Sequence, residues 1–260
     1  MRVHISQIDK VANQVKHLML APIAGQLLAP FVAGSHTKVG IPKPARVKSA
    51  PFSLAGSAEK GRRDQIVAHG NKNGGPVARG LPEEASPRDS SEVLEPRCSF
   101  KVHPQTAQPC LVAGGSGAAA FFSHLDALRR QAHRDERHYA FKERSEGIWC
   151  NDLRAEYGKR LRQYASTEGG RLDLSRLLSM LPAGTHAYVS GLPRLMQSGV
   201  NAVWRCRVPS QAVNWDSYGG RPSDVSTEGA SRRISFAGGA WHTVRTDQTT
   251  RQRQCRKLAA

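Results

Sequence analysis

The chain has 260 residues, 39% of them apolar and 23% charged, with a formal net charge of +17. That length accommodates two cored domains. It has no apolar run long enough to span a bilayer, and the N-terminus lacks the uninterrupted apolar region of a secretory signal. Cys98, Cys110, Cys150, Cys206 and Cys255 are scattered and odd in number, which suits a reducing cytoplasm better than a disulfide framework.

The first hundred residues read as short strands at 15–20, 31–41, 51–55 and 65–69, divided by Gly and Pro rather than by helices. Several short strands with turn signals indicate an antiparallel β-barrel. Residues 86–91 are polar and read as a loop. The pattern then changes. Leu111-Val112-Ala113 runs into Gly114-Gly115-Ser116-Gly117 and on into Ala118-Ala119-Ala120-Phe121-Phe122, a buried strand turning sharply into a helix. Residues 138–141 form a short strand, 148–157 a helix and 160–165 another strand. Leu174, Leu177, Leu178 and Leu181 fall at i, i+3, i+4 and i+7 on one helical face, with Asp173 favouring the start and Pro182 and Gly184 ending it. Residues 186–190 are a strand, Leu195, Met196, Val200 and Val203 the stripe of a further helix, and 213–215 a last strand. Alternating strands and helices indicate a parallel sheet covered on both faces. The expected organisation is therefore a β-barrel over 1–104, an α/β domain over 105–218 and a weakly ordered, Arg- and Thr-rich tail over 219–260.

Parallel sheets bind ligands outside the carboxyl ends of their strands. Both the 114–117 bend and the 190–192 bend fall at such ends. A glycine-rich turn into a helix exposes backbone N–H groups to a phosphate or pyrophosphate. Gly114-Gly115-Ser116-Gly117 is also close to a nucleophile elbow, which would make Ser116 a hydrolase nucleophile with Asp173 and His186 downstream in the right order. The histidines show no Cys/His metal-ligand spacing, so no metal is expected. Arg enrichment on solvated faces and in the tail accounts best for the positive charge; electrostatic steering of an acidic protein partner is the alternative. The basic residues are scattered, without an aromatic RNA-binding motif or zinc-finger spacing, so nucleic acid is not the expected partner.

The barrel-then-α/β order, with Leu-Val-Ala-Gly-Gly-x-Gly at 111–117 and Tyr-Val-x-Gly at 188–191, resembles the ferredoxin–NADP reductase superfamily. The stretches Glu168-Gly169-Gly170-Arg171-Leu172-Asp173-Leu174 and Leu181-Pro182-Ala183-Gly184-Thr185-His186-Ala187-Tyr188-Val189-Ser190-Gly191 are similar to the FMN- and NADH-dependent reductase components of Rieske-type oxygenases, such as the vanillate O-demethylase and phthalate dioxygenase reductases. The resemblance implies a barrel that binds FMN (FAD is the alternative), an α/β domain that binds NADH (or NADPH), and electrons passed to an oxygenase component or a separate ferredoxin. It implies flavin contacts at Phe52, Ser53 and Leu54 and a phosphate loop at Gly74 and Gly75. On the nucleotide side it implies contacts at Gly114, Gly115, Gly117 and Gly191, an adenosine ribose near Arg144 and Ser145, and a nicotinamide near Ser190.

The match is partial. Ala50 stands where the family has an arginine, with Arg46 and Lys48 as candidate substitutes, and Pro76 replaces a serine of the phosphate loop, removing a hydroxyl and a backbone donor. Ser190-Gly191-Leu192 stands for Cys-Gly-Pro. The cysteine spacing offers no plant-type [2Fe–2S] loop, so no cluster is expected on this chain. These departures leave a second reading open, a degraded reductase homologue without cofactor turnover.

Overall fold

The computed structural model describes residues 1–23, 26–41, 48–57, 63–70, 76–98, 100–103, 106, 108–131, 135–191, 193–206, 208, 212–217, 232–235 and 241–244. Arg46, Gly74, Gly75, Leu192 and most of the expected tail lie outside them.

The first module comprises β1 (Arg2–Ala12), β2 (Val15–Pro22), β3 (Ser35–Ile41), β4 (Lys48–Ser53), β5 (Asp64–His69), α1 (Pro76–Glu84), β6 (Ser90–Val93) and β7 (Arg97–Cys98). The strands follow the order β4-β3-β6-β1-β2-β5, with β7 also on β3, and every pairing is antiparallel. A bridge between Leu54 and Ile66 brings the two ends of that order together. Beside it the Ala55 N–H donates to the Gln65 carbonyl at 2.7 Å. The alternating residues Val3 and Ile5, Leu18 and Leu20, and Phe52 and Leu54 all turn into one core, which Val77 and Leu81 of α1 cap.

The sequence departs from this picture at four places. It gives no strand before residue 15, because the alternation of Val3 and Ile5 slips where β1 bulges between Ile5 and Gln7. The 86–91 loop is corrected: from Ser90 the chain is β6, and its buried Ser91 hydroxyl donates to the Gly40 carbonyl at 2.8 Å. The 31–41 strand begins only at Ser35. Helix α1 has no sequence precedent, since Gly80 and Pro82 obscure its apolar face.

The second module comprises β8 (Pro109–Gly114), α2 (Ala119–Arg130), β9 (Glu136–Phe141), α3 (Cys150–Tyr157), β10 (Leu161–Ala165), α4 (Leu174–Ser179), β11 (His186–Gly191), α5 (Pro193–Arg205) and β12 (Val213–Ser217). Its sheet has the order β10-β9-β8-β11-β12 and is parallel throughout. Leu111 and Ala113 face α2 and α3, while Cys110 and Val112 face α4 and α5, so both faces are buried. Asp173 caps α4 by accepting the Arg176 N–H at 2.9 Å. A hairpin of β13 (Arg232–Ser235) and β14 (Trp241–Val244) lies in the tail. Among the described residues no helix is long and apolar enough to cross a membrane.

The modules share a seam. Val15, Ala55 and Val67 of the barrel belong to the same apolar cluster as Ala118, Phe121, Tyr139 and Tyr188. Polar contacts cross it as well. The Gly34 N–H donates to Ser123 Oγ at 3.1 Å, and the Asn13 N–H to the Ser145 carbonyl at 2.6 Å.

Buried histidines fix how stability responds to acid. Burial lowers the pKa of His36, His69, His124, His138 and His186 below the ordinary 6.5. As pH falls through 6.5 the unfolded chain therefore takes up protons first, so the stabilisation present above that pH is progressively lost, by up to about 1.4 kcal/mol per pH unit per group. Asp64, raised to about 6 by burial from 3.8, acts in the opposite sense between those two values. One carboxylate does not offset several histidines. The urea midpoint is expected to fall between pH 7 and pH 5; a flat or rising midpoint would contradict the burial of these rings.

Candidate functional site

Two bends meet at the carboxyl ends of neighbouring strands. Strand β8 ends at Gly114, the chain winds through a single 3-10 turn at Gly115–Ala118, and α2 begins at Ala119. Strand β11 ends at Gly191, and Ser190 lies opposite Ala113. A Cβ on Gly117 would fall 2.5 Å from the Gly191 Cα and the Ser190 carbonyl, so any side chain there would collide with backbone. A Cβ on Gly114 would lie 2.6 Å from Leu195 Cδ2 of α5. Gly117 thus lets two backbones touch, while Gly114 makes room for the Leu195 side chain. Gly115 differs: its φ is +54° and a Cβ there would meet nothing within 4 Å among the described residues. No side chain caps this turn and its first residues include no acid. Its leading N–H groups are thus available to an anion, which the helix dipole also favours.

Ser190 is fully buried, and among the described residues its hydroxyl has no hydrogen-bond partner. Such an orphan costs about 1–3 kcal/mol. It lies at the end of β11 beside the Gly191 bend.

On the barrel side the structure places Phe52 and Leu54 in the barrel core, so their side chains are already packed. Ser53 points the other way along β4, opposite His36, and is also buried. Ala55, one residue beyond Leu54, reaches the cluster that holds Ala118. The glycine-rich turn lies against β5, whose Gln65 carbonyl accepts the Ala55 N–H. Gly74 and Gly75 lie outside the described residues, but α1 starts directly after them and packs on the barrel.

Arg144 and Ser145 follow the carboxyl end of β9, beside β8. The Arg144 Nε lies 3.0 and 3.1 Å from the two Glu168 carboxylate oxygens. The Ser145 carbonyl is the acceptor for Asn13 of the barrel. Gly114, Ser190 and Gly191, Arg144 and Ser145 thus stand at the carboxyl ends of β8, β11 and β9, while Phe52 and Leu54 are packed in the barrel core.

The hydrolase reading of Ser116 is corrected by the topology. His186 starts β11 opposite Pro109, at the amino end of the sheet, whereas Ser116 follows its carboxyl end. Five residues of strand separate the two levels by roughly 16 Å. His186 instead stacks on His103 at 5.6 Å between centroids, and Asp173 is occupied as the α4 cap. No triad forms.

Several seam residues have no clear sequence signal. The Tyr188 hydroxyl accepts the His103 N–H at 2.7 Å and lies 3.3 Å from Thr106 Oγ1, tying the inter-module linker to β11. His124 sits between the carbonyls of Ala120 (2.9 Å) and Phe100 (2.7 Å). Trp149 adopts φ +47° and wedges its ring between His17 (5.1 Å) and Phe122 (4.7 Å). A left-handed tryptophan is an outlier that tertiary packing alone sustains. Among the described residues no group of three or more His, Cys, Asp or Glu could hold a metal ion. Burial pushes the thiols of Cys110 and Cys150 up to about 12 and about 11, which keeps them protonated.

Substitution separates the two kinds of glycine. Gly117→Ala is expected to destabilise the fold by about 2–4 kcal/mol, because backbone must move. Gly115→Ala has room and pays only for its left-handed backbone, about 1–2 kcal/mol. Chemical denaturation of both variants checks this, and equal losses would contradict the contact between the bends.

No family model matches the chain. Among curated proteins it is similar to the carnitine monooxygenase reductase subunit of Escherichia coli (strain K12), with 24% identity over 217 residues covering 83% of this chain and 68% of that protein. It is also similar to the heme-dependent oxidative N-demethylase beta subunit of Ectopseudomonas mendocina (strain ymp), with 26% identity over 243 residues covering 90% of this chain and 76% of that one. Among solved structures, phthalate dioxygenase reductase superposes with a TM-score of 0.76 at 20% identity, over 98% of this chain and 80% of that one. An intact type IV self-sufficient cytochrome P450 monooxygenase gives 0.78 at 22% identity, over 95% of this chain; the present chain spans about a third (32%) of that longer one. A half-barrel joined to a five-stranded parallel α/β domain, shared with these proteins along most of its length, makes the chain a distant homologue of the reductase subunits of Rieske-type oxygenases, with the ferredoxin reductase-like fold.

Proposed function

We propose that the chain is an NADH-dependent flavin oxidoreductase of the cytoplasm, passing electrons from NADH through FMN to an iron–sulfur carrier or an oxygenase partner. The observation that carries this reading is the contact of Gly117 with Ser190–Gly191 beside the barrel seam. It joins a turn of free N–H groups to a buried, unpartnered hydroxyl at the carboxyl edge of a parallel sheet.

The residues present fit a dinucleotide. The Gly115–Ala118 turn offers N–H donors to a pyrophosphate, Gly114 and Gly117 let backbone approach, and Arg144 and Ser145 stand one strand over, toward the ribose end. Ser190 would contact the nicotinamide through its free hydroxyl. On the flavin side Phe52 and Leu54 shape the barrel wall, Ser53 turns a hydroxyl away from that core, and the Gly74-Gly75 pair with the start of α1 would meet a phosphate. When bound, flavin supplies hydride acceptance and the release of electrons one at a time, chemistry that no side chain here can perform. The protein's own work is to align the two ligands and exclude water, which Phe100, Phe121 and Tyr188 do by packing behind the seam. A net charge of +17 suits an acidic protein as the electron acceptor. The relatives whose names describe oxygenase reductases support the same assignment.

The test is reconstitution. The purified chain is expected to take up FMN, showing flavin absorption after gel filtration, and NADH is expected to bleach it under anaerobic conditions. Ser190→Ala should slow that bleaching about tenfold, the loss of one polar contact, while Ser190→Cys preserves it. A chain that stays colourless with either FMN or FAD would instead establish the degraded-homologue reading. Because the Ser190 hydroxyl is unpaired, Ser190→Ala should not lower the unfolding midpoint, which separates a ligand role from a structural one.

A further inference from the structure

We propose that the cleft between α2 and α3 is a binding site for a small apolar monocarboxylate, its acid group held by Arg137 and its short chain by leucines. The cleft lies over β8, β9 and β10 and holds about 350 Å3 counted out to its open mouth. Phe121 and Leu125 of α2 form one wall, Leu153 and Tyr157 of α3 the other. The floor follows the strand register. Leu111, Arg137 and Leu161 stand side by side in one row toward the amino ends of the three strands, and Ala113 and Tyr139 in the row beyond. A space at the low end of ligand-pocket volumes, open on one side, suits a molecule of about six non-hydrogen atoms.

Among these apolar walls Arg137 is the exception, and it is only 4% exposed. Its Nη2 donates to Asp135 Oδ1 at 2.8 Å, its Nε faces Asp135 Oδ2, and its plane stacks 3.8 Å over the Tyr157 ring. Asp135 therefore takes one edge of the guanidinium and Tyr157 its face. The in-plane donors of Nη1 are left over, and among the described residues Nη1 has no hydrogen-bond partner. Water is a poor remedy, because a buried water needs about two to four polar partners. The cleft offers it few. The Tyr139 hydroxyl already accepts the Ile148 N–H at 2.7 Å, and His138 turns its ring to the other face of the sheet, against Tyr164 and Glu136. A carboxylate serves better. One oxygen accepts from Nη1 in a charge-assisted bond, while the chain behind it lies on Leu111, Leu125 and Leu153.

The probe is butyrate, with 1-butanol as its uncharged counterpart, titrated into the full chain carrying 13C-labelled leucine methyl groups. Butyrate is expected to move the methyl signals of Leu111, Leu125, Leu153 and Leu161 along one saturation curve. It should bind about tenfold more tightly than 1-butanol, the worth of one charge-assisted contact. Leu125→Trp, which fills the cleft from α2, should abolish those shifts. Arg137→Lys keeps a cation for Asp135 but loses the second edge of the fork, and should bring butyrate down to the affinity of 1-butanol. The acid-to-alcohol ratio in the wild-type chain decides the matter even where a variant fails to fold. Equal binding of acid and alcohol, shifts that survive Leu125→Trp, or leucines that stay silent as butyrate is added would each overturn the assignment. The cleft lies behind the glycine-rich turn and its test uses no nucleotide, so either result leaves the dinucleotide reading to be judged separately.

Discussion

In the parallel pair of β8 and β11, Ala113 lies opposite Ser190, so the chain must leave both strands at the same level and on the same side. The backbones of the two departures then come into contact, and the contact is possible only because Gly117 has no side chain. Much at the seam follows from it. Helix α2 starts close to the sheet and presents an uncapped amino end. Gly115 is left facing open space, and Ser190 is sealed in the crease with its hydroxyl unpaired. A larger residue at Gly117 would lift the helix and separate the two bends, and with them the donors that one extended ligand needs together.

The barrel is bound to this arrangement by apolar packing and by a few buried polar contacts. His124 is held between two carbonyls, and a neutral imidazole donates to only one of them. Burial nevertheless disfavours its charged form. Trp149 is held in a backbone conformation it would not choose alone, with rings from both modules against it. Both groups lie between the modules.

Much of the second module was legible because its central strands β8 and β11 are buried on both faces and read as largely apolar runs that end in glycine and lead into helical stripes. Even so, α4 stops at Ser179 and leaves Leu181 beyond its end, since Pro182 terminates the helix early. The barrel was less legible: its strands bulge, as β1 does after Ile5, and a bulge destroys the two-residue period that marks a strand. Burial of charge was also unreadable. Arg137 lies inside the sheet, paired with Asp135 and stacked 3.8 Å from the Tyr157 ring, and nothing in the local pattern announces it. At the site, the glycines were visible as glycines, but spacing alone did not distinguish Gly117, which packs, from Gly115, which faces space. Phe52 shows how burial adds to what spacing suggests. Its neighbours suggested a ligand contact, while strand alternation already assigns it to the core side of β4 along with Leu54. The pairing of Arg144 with Glu168 joins residues 24 apart through the order of two strands, which sequence periodicity does not encode.

The central claim is that both bends hold one ligand. Amide chemical shifts of the isotopically labelled, flavin-loaded chain, recorded while a non-reducing NADH analogue is added, test it most directly. The account predicts that Gly115, Ser116 and Gly117 shift together with Ser190 and Gly191 along a single saturation curve. Shifts confined to one bend, separate curves for the two, or perturbations elsewhere on the chain with both bends silent would contradict it.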